Sequence, residues 1–119
     1  MNVDELGPDE PYRIQEDEEQ RRAVVWFAVR CDHPRTKALE DQLANLVASY
    51  DRVACEVSRT RVMGSDWLRW LARLTARAKA AGKVLALVGM GETLGRTADV
   101  LGLQDELVMK AALDEVWAP

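Results

Sequence analysis

Residues 65–88 read SDWLRWLARLTARAKAAGKVLALV, and this stretch decides the fold. From Ser65 to Ala81 the apolar groups return at helical spacing. Leu68, Leu71, Ala72, Thr75 and Ala78 fall on one face, while Arg69, Arg73 and Arg77 step by four along the other. Such a helix has one side to bury and one to wet. Gly82 can adopt the left-handed conformation that stops a helix without Cβ strain. Lys83 to Val88 then runs almost wholly apolar, the composition of a strand covered on both faces. A helix that turns directly into such a strand is half of a βαβ unit, which predicts a layered α/β domain.

The flanks extend the same alternation. Upstream, Arg52 to Val57 (RVACEV) alternates as a short strand. Thr36 to Ala48 is a helix, with Leu39, Leu43, Leu46 and Val47 at helical spacing and Thr36 as its N-cap. Asp32-His33-Pro34 breaks the chain before it, because a proline steers its predecessor away from helical geometry. Ala23 to Val29 (AVVWFAV) is β-branched and aromatic, a buried strand. Glu16 to Arg22 reads as a charged turn and Tyr12 to Ile14 as a short first strand. Downstream, Thr93 to Leu101 is a helix closed by Gly102, Leu107 to Ala111 a last strand, and Leu113 to Trp117 a helical turn. The predicted architecture is a mixed, mostly parallel sheet of about four or five strands with helices packed against it, joined by right-handed crossovers.

The 119 residues suit one domain, with 48% hydrophobic and 30% charged residues. Residues 1–11 (MNVDELGPDEP) read as a flexible acidic lead-in, leaving residues 12–119 as the domain. Charge is unevenly spread: residues 1–20 hold eight acids and one base, so a chain of net charge −4 has a body of about +3. That is too weakly basic for nucleic acid. No apolar run is long enough for membrane insertion, and the acidic start lacks a signal-peptide pattern, which places the protein in the cytoplasm. Cys31 and Cys55 suit a reducing compartment and need no bridge.

Four groups of residues carry possible chemistry. At Gly64-Ser65-Asp66-Trp67 the helix opens: Ser65 as N-cap and Asp66 as a first-turn acid explain both residues, and so does docking of a phosphate or a partner on free N–H groups. Trp67 reads as core, and Trp70, at the edge of the apolar face, as core edge or interface anchor. Gly89, Gly91 and Gly95 follow a strand and open a helix, the setting of a phosphate loop, but their spacing is G-x-G-x-x-x-G and a Walker loop would need lysine at Arg96. A tight strand-to-helix turn is the better account of them. Cys31-Asp32-His33 holds metal-ligand types, but three consecutive residues rarely fold around one ion, so no metal and no cofactor are expected. With His33 the sole histidine, no nucleophile and base pair is available, and the chain reads as no enzyme.

From Asp51 onward the chain resembles the STAS family of the anti-sigma factor antagonist type. Ala81-Gly82-Lys83, Leu101-Gly102-Leu103 and Leu107-Val108 stand where that family has its basic Ala-Gly turn, its Leu-x-Gly-Leu helix end and its last strand. The family motif Asp-Ser-Ser/Thr-Gly falls on Gly64-Ser65-Asp66-Trp67. The resemblance implies a single STAS-like domain acting as a switch module. It would dock an anti-sigma factor or kinase-like partner through Gly64, Ser65, Asp66, Trp67 and Trp70, as a monomer or weak homodimer. It also implies a departure: the family's phosphoacceptor place holds Asp66, one fixed negative charge instead of a switchable phosphate, while neighbouring Ser65 keeps a hydroxyl and is a weaker candidate for phosphorylation one residue early. Two alternatives stay open: a STAS-like accessory subunit of a membrane transport ATPase, and a nucleotide-binding domain using Gly89 to Gly95.

Overall fold

The computed structural model describes residues 12–31 and 36–118, the side chains of Thr36 and Lys37 excepted. The readings made for residues 1–11, for Asp32, His33 and Pro34, and for the Thr36 side chain lie outside these residues. The elements, in chain order, are β1 (Tyr12–Asp17), β2 (Arg22–Phe27), β3 (Arg30–Cys31), α1 (Thr36–Ser49), β4 (Arg52–Glu56), β5 (Val62–Met63), α2 (Ser65–Ala80), β6 (Val84–Val88), α3 (Glu92–Val100), β7 (Met109–Lys110) and α4 (Leu113–Trp117). Among the described residues, no helix is long and apolar enough to cross a membrane.

The main sheet has five strands in the order β1-β2-β4-β6-β7. β1 runs antiparallel to β2, and the other neighbours are parallel. The parallel strands advance across the sheet in one direction. Right-handed crossovers therefore place α1, α2 and α3 on a single face. The side chains agree. Val25, Cys55, Leu85 and Leu87 meet Leu39 and Leu43 of α1, Leu68 and Leu71 of α2, and Leu94 and Ala98 of α3 in one buried cluster. The alternate residues Val24, Trp26, Ala54, Ala86 and Val88 point to the other face, which α4 covers with Val116. Leu68 and Leu71 are fully buried, each contributing about 1.5–3 kcal/mol by leaving water.

Both glycines read as helix stops take that role. Gly82, with φ 74°, and Gly102, with φ 73°, let the next residue hydrogen-bond back: Lys83 N–H to Ala78 O at 2.8 Å and Leu103 N–H to Ala98 O at 2.9 Å.

Local charge misleads at the first hairpin. Glu16 and Asp17 belong to β1, with Asp17 opposite Arg22, and the turn shrinks to residues 18–21. Ladder hydrogen bonds at an edge strand tolerate charged side chains that reach water. The turn closes with the Asp17 carboxylate accepting the Gln20 N–H at 3.0 Å and Arg21 at φ 54°. Three strands are also shorter than their apolar runs. β2 ends at Phe27, β4 at Glu56, and β7 spans only Met109–Lys110. The two-residue strands β3 and β5 pair with each other in a separate small sheet that no periodicity foreshadows.

Candidate functional site

α2 begins at the carboxyl end of the parallel strands, the end where open α/β sheets bind their ligands. A short brace sets its position. Arg61 and Val62 N–H groups donate to Val29 O at 2.8 and 3.1 Å, the buried Thr60 hydroxyl donates to Ala28 O at 2.8 Å, and Gly64 N–H donates to Cys31 O at 3.3 Å. The β3–β5 ladder thus fastens the segment leading into α2 to the chain leaving β2.

The first turn differs from the N-cap reading of Ser65. Gly64 is the cap, in extended conformation (φ −62°, ψ 148°), and it offers no side chain. Its carbonyl accepts the N–H groups of Trp67 at 3.0 Å and Leu68 at 3.2 Å. Ser65 is already the first helical residue, so its hydroxyl cannot fold back on the helix in N-cap fashion. Ser65 and Asp66 are both exposed. Asp66 stands in the first turn, where the helix dipole favours an anion.

Trp67 points the opposite way. It is buried, with its ring edge-on to Phe27 at 6.1 Å and to Trp70 at 5.3 Å. Trp70 is half-buried and packs against the same core. One and a half helical turns therefore hold two exposed polar residues over a tryptophan pair. Gly64, Ser65, Asp66, Trp67 and Trp70 come together as one surface with its support.

Two neighbours escaped sequence reading. Val29 and Val62 are exposed, 53% and 38%, on the brace beside the helix start. Arg59 and Arg61 are exposed on the same loop. The only available signal was a valine directly after Arg59-Thr60-Arg61, where a β-branched residue has no helix or long strand to join.

The glycine loop lies at the same end of the sheet. Gly89 (φ 74°) follows β6, Gly91 caps α3, and Gly95 sits within α3. A Cβ on Gly89 would stand 2.8 Å from Ser58 Cβ and 3.5 Å from Glu56 Oε1. Close packing against the β4–β5 loop thus accounts for Gly89, and the carboxylate beside it repels a phosphate. Cys31 and Cys55 are both buried. Burial pushes the Cys55 thiol far above its ordinary range, with Cys31 nearby adding to the shift, so Cys55 is no ready nucleophile.

A family model described as "Mlab, STAS domain" matches residues 14–110. No curated protein matches the sequence. Among solved structures, an anti-sigma factor antagonist from Mycobacterium paratuberculosis superimposes with a TM-score of 0.74 at 21% identity, covering 92% of this chain and 93% of that one. A variant of RsbS from Moorella thermoacetica gives 0.73 at 14% identity, covering 90% and 92%. SpoIIAA, an anti-sigma factor antagonist, gives 0.72 at 12% identity in its unphosphorylated form, covering 87% and 90%. At these identities the likeness is one of fold.

Proposed function

The chain belongs to the STAS domain family, and from that premise we propose that it is a regulatory protein-binding module of the anti-sigma factor antagonist kind, docking a kinase-like anti-sigma factor through the start of α2. One observation carries the reading: Ser65 and Asp66 are exposed and the helix is capped by Gly64 alone. Helix capping therefore leaves the Ser65 hydroxyl and the Asp66 carboxylate available to a partner. The exposed valines Val29 and Val62 supply apolar area beside them, and the buried Trp67 holds the turn rigid. Rigid presentation lowers the ordering cost of association.

Asp66 holds the family's phosphoacceptor place with a permanent charge. The module is then fixed in one state at that position, and regulation enters through Ser65 or through the partner. The same fixed charge favours a second reading, a constitutive accessory subunit docked on a transport ATPase, which needs a stable contact and no switch.

Affinity capture from the native cytoplasm, with wild-type and Asp66→Lys chains as bait, tests the proposal. A kinase-like regulatory protein held by the first and lost by the second supports it. An ATPase subunit with the same behaviour selects the second reading. A partner held equally by both baits defeats the assignment of the surface.

A further inference from the structure

Beyond the start of α2, the amino ends of β4 and β6, the carboxyl half of α2 and the stretch around β7 and α4 enclose a second cleft, of about 550 Å³. Four cations line it, Arg52, Lys79, Lys83 and Lys110, against one carboxylate, Glu115. Glu115 is already engaged. Its Oε2 accepts the N–H groups of Ala111 at 2.8 Å and Ala112 at 2.9 Å, fixing the first turn of α4. Arg52 and Lys83 are half-buried and held in place, Arg52 by donating to Val116 O at 2.8 Å and Lys83 by donating to Val47 O and Ala48 O at the end of α1. Carbonyls position these cations without neutralising them. Lys79 and Lys110 are exposed, and neither ammonium group makes an ion pair or hydrogen bond with the described residues. Between the charges the wall is apolar, with Val84 and Val108 half-buried and Val116 beneath them.

We propose that this cleft binds a small amphiphilic anion, a phosphate monoester or carboxylate attached to an alkyl or acyl body. Lys79 and Lys110, with Arg52 beside them, bring like charges to one apolar wall, and an anionic headgroup relieves their repulsion through charge-assisted hydrogen bonds. The valine wall takes the body of the ligand, and the volume is that of a small-molecule site. A purely inorganic anion would leave the apolar wall wet, and a neutral apolar ligand would leave the cations unsatisfied.

The full chain, labelled with nitrogen-15, is titrated with octyl phosphate, inorganic phosphate and octyltrimethylammonium while amide shifts are followed. Octyl phosphate should saturate with shifts centred on Thr75, Lys79, Val84, Val108 and Lys110. Inorganic phosphate should bind at least about tenfold more weakly and the cationic amphiphile not at all, because charge and apolar contact are both required. Lys79→Glu with Lys110→Glu should lower octyl phosphate affinity at least about tenfold, since both head-group contacts are reversed. Single Lys110→Glu gives the same readout should the double variant lose its fold. Flotation with phosphatidylglycerol vesicles, lost in the variant, assigns a bilayer lipid as the source, and absence of flotation assigns a soluble ligand. Shifts centred elsewhere, equal affinity for inorganic phosphate, or an unchanged variant would overturn the proposal.

Discussion

Trp67 and Trp70 meet edge to face, with ring centroids 5.3 Å apart and planes at 86°. Three residues apart on one helix, the two rings have different exposures, Trp67 buried and Trp70 half-exposed. Trp67→Ala should therefore cost about 3–5 kcal/mol of stability, as large aromatic deletions in a core do. Trp70→Ala should cost clearly less and act on partner affinity instead, by about 2 kcal/mol if the ring is an anchor. Urea denaturation and binding titration of both variants separate the roles. Equal destabilisation by the two would make Trp70 a core residue only.

Asp66 should matter more for binding than for folding. Asp66→Lys removes a favourable dipole contact in the first turn of α2, at a cost of about 0.3–1 kcal/mol. Charge reversal on a docking surface should weaken the partner at least about tenfold. Thermal melts and partner titrations of the wild type, Asp66→Ser and Asp66→Lys measure both effects. Affinity unchanged in both variants would reduce Gly64 to Trp67 to a helix start and nothing more.

Two glycines of one loop should respond oppositely. Gly89→Ala puts a Cβ 2.8 Å from Ser58 Cβ at φ 74°, and should destabilise by at least about 1–3 kcal/mol. Gly95→Ala lies inside α3 with open space around its Cβ, and should stabilise by about 0.5–1 kcal/mol. Denaturant midpoints of the two variants decide the matter.

Tyr50 links the end of α1 to the first hairpin. Its hydroxyl donates to Glu16 Oε1 at 2.8 Å, and this hydrogen bond, reinforced by burial and by the Glu16 charge, pushes the phenol up to about 12. The folded state thus holds the proton more tightly than the unfolded chain. The stability this adds is fully present below about pH 10 and is lost as pH rises toward about 12. The stability gap between wild type and Tyr50→Phe should be constant below about pH 10 and shrink above it, as urea titrations at a series of pH values would show. A gap that stays constant through this range would mean that the bond does not hold in solution.

Deleting residues 1–11 should leave the melting temperature within a few degrees. The segment carries four acids, two prolines and few large apolar groups. Collapse of the fold in the shortened chain would make the segment an integral part of the domain.

The helices were the most legible part of the fold, because burial of one helix face leaves a repeat that spans several turns. Leu68, Leu71 and Ala78 announce α2, and Gly82 and Gly102 mark where helices stop, since only a residue at positive φ closes those turns without strain. Strand lengths were less legible. Val29 continues the apolar run of β2 yet lies outside the sheet, because its carbonyl is taken by Arg61 and Val62. The candidate site was legible in its helix start and in the burial of Trp67. It was misread in the capping role of Ser65, because Gly64 has the same freedom to cap as a hydroxyl residue and the backbone chose it.

By itself, the sequence determined the α/β layering, the apolar faces of α1 and α2 and the interior character of β6, because the spacing of buried groups along one segment records which side leaves water. Tertiary structure alone decided the β3–β5 brace, the exposure of Val29 and Val62 beside Asp66, and the meeting of Arg52, Lys79, Lys83 and Lys110 around one cleft. These depend on hydrogen bonds and packing between residues distant in the chain. No local repeat encodes such contacts, and each exists only once the sheet has assembled.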